Sequence, residues 1–148
     1  MPAAALDDRW LAKAILENPH IAVTVTSVEG GVIRMFNKGA ENLLGYKAEE
    51  VVGKVKGIAL VDPRDVEKHA EELRRLYGVA VGPGREGVIS GPLLTGEPEE
   101  HVWTLVRKDG SSYKALMSLR ILRDDKGQMQ GFLAVSIPVP QEIVEKLG

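Results

Sequence analysis

The chain has 148 residues, enough for one domain whose core needs neither disulfides nor a structural metal. Apolar residues make up 44% and charged ones 27%, and 19 Lys and Arg against 21 Asp and Glu leave a formal net charge of -2, which excludes the basic footprint of a nucleic-acid or anionic-membrane binder. The absence of cysteine removes disulfides, thiolate metal sites and thiol nucleophiles, and a cytoplasmic setting is expected.

Asp7, Asp8 and Arg9 come before any long apolar run, so the start is expected to lack the basic beginning and apolar core of a signal peptide, and no apolar run is long enough to span a bilayer. Asp7 caps a predicted amphipathic helix in which Trp10, Leu11, Ala14 and Ile15 recur at helical spacing, stopped by Asn18 and Pro19. Residues 21–28 are rich in β-branched side chains and, after the turn at Glu29, Gly30 and Gly31, pair with residues 32–36 as a hairpin. Asn37 caps a short helix that Gly45 closes, and residues 48–52 add another turn. Asp62, Pro63 and Asp65 are a strong helix start, with the helix running to about Tyr77. Residues 78–98 hold so many Gly and Pro that they read as a long connection. Three strands follow, over residues 101–107, 112–122 and 128–137, as an antiparallel meander. Period two assigns Tyr113, Ala115, Met117, Leu119 and Ile121 to the core face. The order is α+β, with helices gathered on one face of an antiparallel sheet.

From residue 21 to residue 137 the chain resembles the PAS (Per-Arnt-Sim) family of sensory domains. The stretches at residues 36–46 with 49–54, at 103–111 and at 127–136 carry the likeness, in order and at the family's spacings. The resemblance implies a PAS fold: a five-stranded antiparallel sheet with helices forming a pocket over one face. It divides the chain into an N-terminal helix at 1–19, the PAS domain at 20–138, and a tail or linker start at 139–148. The connection before the fourth strand is longer than the family's minimum, as in a subgroup found in bacterial multidomain signalling proteins. Residues 136–140 replace the Asp-x-Thr turn with which the family often ends its last strand.

His69 lies at the edge of the apolar stripe of Val66, Ala70, Leu73 and Tyr77. Haem-binding PAS domains place an axial histidine on this helix, so the resemblance makes His69 a candidate haem ligand. A histidine satisfied by a hydrogen bond is the plainer alternative. A cysteinyl-flavin adduct is excluded without a cysteine, and non-covalent flavin is the lesser cofactor expectation. Met35, Leu73, Trp103, Leu105, Met117 and Leu119, with His69, are the candidate pocket lining; ordinary core is the competing assignment. His20 and His101 lack ligand-spaced partners and read as surface or edge residues, with no metal site. The stretch 82–87 lacks the ending of a phosphate loop, and Asp62, Asp65, Glu67, Glu71 and Glu72 read as cap and solvated helix face. No nucleophile has a partner base, so no enzyme is expected.

The leading expectation is a sensor that binds a small molecule and relays its state to an output or kinase domain of a parent protein. A ligand-free interaction module is the alternative. Leu116, Leu122, Phe132 and Ala134 are assigned to the outer sheet face, and the N-terminal helix is expected to cover it within a homodimer.

Overall fold

The computed structural model of the protein describes residues 7–147, so the first six residues of the 1–19 segment lie outside the described residues. Helix α1 (Asp8–Leu16) is capped by the Asp7 side chain, which accepts from Arg9 N. Strands β1 (Ala22–Thr26) and β2 (Ile33–Phe36) form the hairpin, followed by α2 (Lys38–Leu44), α3 (Ala48–Val51) and a 3-10 turn (Gly57–Leu60). Helix α4 (Pro63–Tyr77) begins at Asp62, whose carboxylate accepts from Arg64 N, and closes at Gly78 in the left-handed conformation. Helix α5 (Glu86–Thr95) precedes β3 (Glu99–Val106), β4 (Ser112–Arg123) and β5 (Met129–Pro138), and α6 (Gln141–Leu147) ends the chain.

The strands make one five-stranded sheet in the order β2-β1-β5-β4-β3, every neighbouring pair antiparallel. Cross-strand partners Trp103 and Ala115, and Leu119 and Ala134, lie on the inner face, where Ile33, Val51, Trp103 and Ala115 are at most 1% exposed.

Three expectations need correction. Residues 86–95, within the stretch read as connection, are helical even though Gly87, Gly91 and Pro92 lie inside. Tertiary packing overrides propensity here. A Cβ on Gly87 would sit 2.7 Å from Val66 O, and one on Gly91 would run into the Glu99 carboxylate, so the glycines let α5 lie close to its neighbours. The second correction concerns Phe132 and Ala134, which face inward, opposite Ile121 and Leu119. Strand β5 carries apolar residues on both faces, so period two could not assign its phase; Phe132 is 2% exposed. Third, Met35 pairs with Val25 while the adjoining Phe36 and Thr24 pair on the other face, so Met35 points away from the helices. Within the segment at 139–148 lies a helix, α6.

Candidate functional site

Between the inner sheet face and the helices lies a cavity of about 90 Å³. Its floor is Ala22, Thr24 and Thr26 of β1, Phe132, Ala134 and Ser136 of β5, and Met117 and Leu119 of β4. Leu44, Ile58 and Leu60 come from α2 and the 3-10 turn, and Val88 and Ile89 of α5 roof it. Hydroxyls of Thr24, Thr26 and Ser136 add a few polar groups to an apolar wall, the pattern of a site that orients a small molecule. Arg85, just before α5, is the only charged lining residue among the described residues; its Nη2 donates to Ser27 O at 3.3 Å and Val28 O at 2.6 Å.

Of the seven candidate lining residues, Leu105, Met117 and Leu119 line this cavity. Met35 lies on the other sheet face. His69, Leu73 and Trp103 are buried but outside the cavity: Leu73 packs with Ala70 and Val81, and Trp103 stands edge-on to His69 with ring centroids 5.1 Å apart.

His69 belongs to a polar cluster between α4 and the start of β3. Its Nε2 is 3.0 Å from Glu99 Oε1, and its Nδ1 is 3.7 Å from Glu72 Oε2, in ion-pair range but beyond hydrogen-bond reach. The His101 ring centroid is 4.1 Å from that of His69 and 4.4 Å from that of Trp103. The reading of His101 as a partnerless surface or edge residue is therefore corrected: alternation along β3 puts Glu99, His101, Trp103 and Leu105 on one face. Burial works to lower the His69 imidazole, and the Glu99 hydrogen bond and charge, with Glu72 behind them, outweigh it, so His69 titrates above its ordinary value. His101 is held below its ordinary value by burial and then by the charge of His69.

The arrangement does not fit haem ligation by His69, because the ring lies outside the cavity with Nε2 engaged by Glu99. Flavin fits poorly as well, since about 90 Å³ is small beside the roughly 300–1,000 Å³ of sites for drug-sized molecules. Among the described residues, no group of three or more His, Asp or Glu is placed to hold a metal ion.

Sequence reading missed Glu99, His101 and Arg85. Period two along β3 carried the signal for the first two. Arg85 had none, because the Gly- and Pro-rich run around it concealed a helix.

The family model for the PAS domain matches residues 20–137, and the chain belongs to the PAS domain family of sensory signalling modules. None of the curated proteins compared matches it. Among solved structures, a PAS domain from Colwellia psychrerythraea is similar at 20% identity and a TM-score of 0.69, over 90% of this chain and 98% of that one. The light-oxygen-voltage domain of the blue-light photoreceptor Aureochrome1 in its dark structure is 19% identical with a TM-score of 0.62, over 99% and 94% of the two chains. A light-oxygen-voltage domain whose mechanism was studied with a flavin analogue is 22% identical with a TM-score of 0.62, over 94% and 88%. At these identities the likeness is one of fold. No helix among the described residues is long and apolar enough to cross a membrane.

Proposed function

We propose that this PAS domain is a sensor that binds a small molecule in the cavity beneath α5 and relays occupancy through protein contacts, without turnover. The carrying observation is the cavity itself, an apolar space with a few hydroxyls and one cation on its wall. A ligand that binds one arrangement of α5 better than another shifts the population between them, and that differential affinity is the signal. Helix α5 suits this role because it touches both the cavity, through Val88 and Ile89, and the Glu99 carboxylate, through Gly91. The reading includes a cytoplasmic parent protein with an output or kinase domain, and a homodimer.

A specific observation also favours a ligand-free interaction module: Leu116 and Ile137 on the outer sheet face are 38% and 45% exposed. The two readings separate on the cavity. Solvent extraction of freshly purified protein followed by mass spectrometry, together with amide-shift titration by small apolar probes, is the test. A co-purified molecule, or saturable shifts at Leu119, Phe132 and Ile89, supports the sensor. A protein that carries nothing and shows no shift at those positions overturns it in favour of the interaction module.

A further inference from the structure

We propose that the cavity takes a small amphiphilic anion, a short-chain or single-ring carboxylic acid, with Arg85 as the partner of its carboxylate; this rests on the ligand-binding reading above. Three of the eight other arginines have carboxylate partners within the fold, Arg9 with Asp7 at 2.8 Å, Arg64 with Asp62 at 2.8 Å and Arg74 with Glu67 at 3.0 Å, and Arg85 differs from the remaining five in lining the cavity. Arg85 has none among the described residues, although it is half-buried on an apolar wall. Removing a cation from water without a compensating anion is unfavourable, so the position is electrostatically incomplete.

The side chain is nonetheless held in place. Nη2 reaches Ser27 O and Val28 O in the β1–β2 turn, and the guanidinium carbon lies 5.5 Å from the centre of the Phe132 ring. A guanidinium offers five N–H donors, and those on Nε and Nη1 have no partner among the described residues. With Nη2 taken by the two carbonyls, the remaining N–H groups leave the cation able to donate a charge-assisted hydrogen bond to a carboxylate oxygen. Beyond it, Ile89, Val88 and Leu119 provide the surface for an apolar body, and the volume of about 90 Å³ favours a short chain or one ring over a long tail. The same carboxylate would bind at the foot of α5, which makes the acid a ligand able to move that helix.

Isothermal titration and amide-shift mapping of the full chain with hexanoate and benzoate, against hexanamide and benzamide, test this. The acids should bind at least about tenfold more tightly than the matching amides. Arg85→Met should abolish that preference, and Arg85→Lys should retain part of it. Because the acid-to-amide comparison is made on the unaltered protein, a variant that fails to fold leaves the test intact. Equal binding of acid and amide overturns the anion assignment while leaving a ligand-binding cavity. No response at the cavity residues to any of the four probes overturns the anion assignment, and it overturns the ligand-binding reading as well only where the purified protein also carries no molecule.

Discussion

His69 Nε2 stands 3.0 Å from Glu99 Oε1, tying the middle of α4 to the first residue of β3 beneath Gly91 of α5. The contact joins three elements through one hydrogen-bonded pair, with Glu72, Asp65 and His101 as the other titratable groups acting on the two histidines.

Those groups give the two histidines opposite pH dependences. His69, raised in the fold, binds more protons folded than unfolded, so its stabilisation is complete below the ordinary value and is lost as pH rises through the folded one. His101, lowered in the fold, contributes stability above the ordinary value and loses it as pH falls. The two partly cancel around the ordinary histidine value of about 6.5. Between about pH 5 and pH 8, His101→Gln should therefore leave a stability that declines on the alkaline side of that value, and His69→Gln one that declines on its acid side. Urea midpoints across that range check it, and parallel pH profiles in the two variants would contradict the opposed shifts.

Asn37 gives a second prediction. Its Oδ1 accepts from Val23 N at 2.8 Å and Ala40 N at 2.9 Å, and its Nδ2 donates to Ile21 O at 2.9 Å, so one buried side chain caps α2 and also fastens the start of β1. Asn37→Ala strands these backbone groups and should cost about 1–3 kcal/mol. Asn37→Asp keeps the acceptor but sets a carboxylate oxygen against the Ile21 carbonyl, and should also destabilise. A denaturation midpoint unchanged in the Asp variant would show that the Nδ2 bond contributes nothing.

Tyr113 lies under Arg107, whose guanidinium carbon is 4.4 Å from the ring centre, and burial pushes its phenol up to about 12. The hydroxyl is buried without a hydrogen-bond partner among the described residues. Tyr113→Phe removes that unmet group and keeps the ring, so stability should stay level or rise by up to about 1 kcal/mol. A loss larger than that in a thermal or urea melt would reveal a partner for the hydroxyl.

Local chemistry was legible wherever one principle dominated. Asp7, Asn37 and Asp62 cap helices as their sequence positions imply, and the alternation along β4 assigns Ala115 and Leu119 to the core. It failed where competing forces decide. Helix α5 contains residues that disfavour helices, and only the close approach of Gly87 to Val66 and of Gly91 to Glu99 explains why it forms there. Phe132 was misplaced because Leu133 and Val135 beside it are equally apolar, and only the pairing with Ile121 fixes the phase. The helical wheel put His69 on the buried stripe, yet a wheel cannot say which side of the core that stripe meets. Across the chain, His101 and Glu99 meet it there.

The last prediction concerns the outer sheet face. With Phe132 and Ala134 turned inward, that face still presents Leu116, Leu122 and Ile137, exposed by 38%, 36% and 45%. Helix α1 leaves Trp10, Leu11 and Ile15 exposed by 70%, 51% and 48%, and buries none of its residues against the rest of the chain. Two apolar surfaces left in water favour mutual burial, and a second copy of the chain supplies both at once in a symmetric interface. Burying Trp10 alone removes a large apolar side chain from water, at roughly 25 cal/mol for each Å² covered. Sedimentation of the intact chain should therefore show a concentration-dependent dimer. Removal of the first 16 residues keeps Asn18, whose side chain accepts from His20 N and Ile21 N, so β1 should remain anchored while the dimer weakens. Ile137→Lys places a charge on the sheet side of the same interface and should weaken it with α1 intact. A monomer across the whole concentration range, in the intact chain and both variants alike, would mean that these faces do not meet.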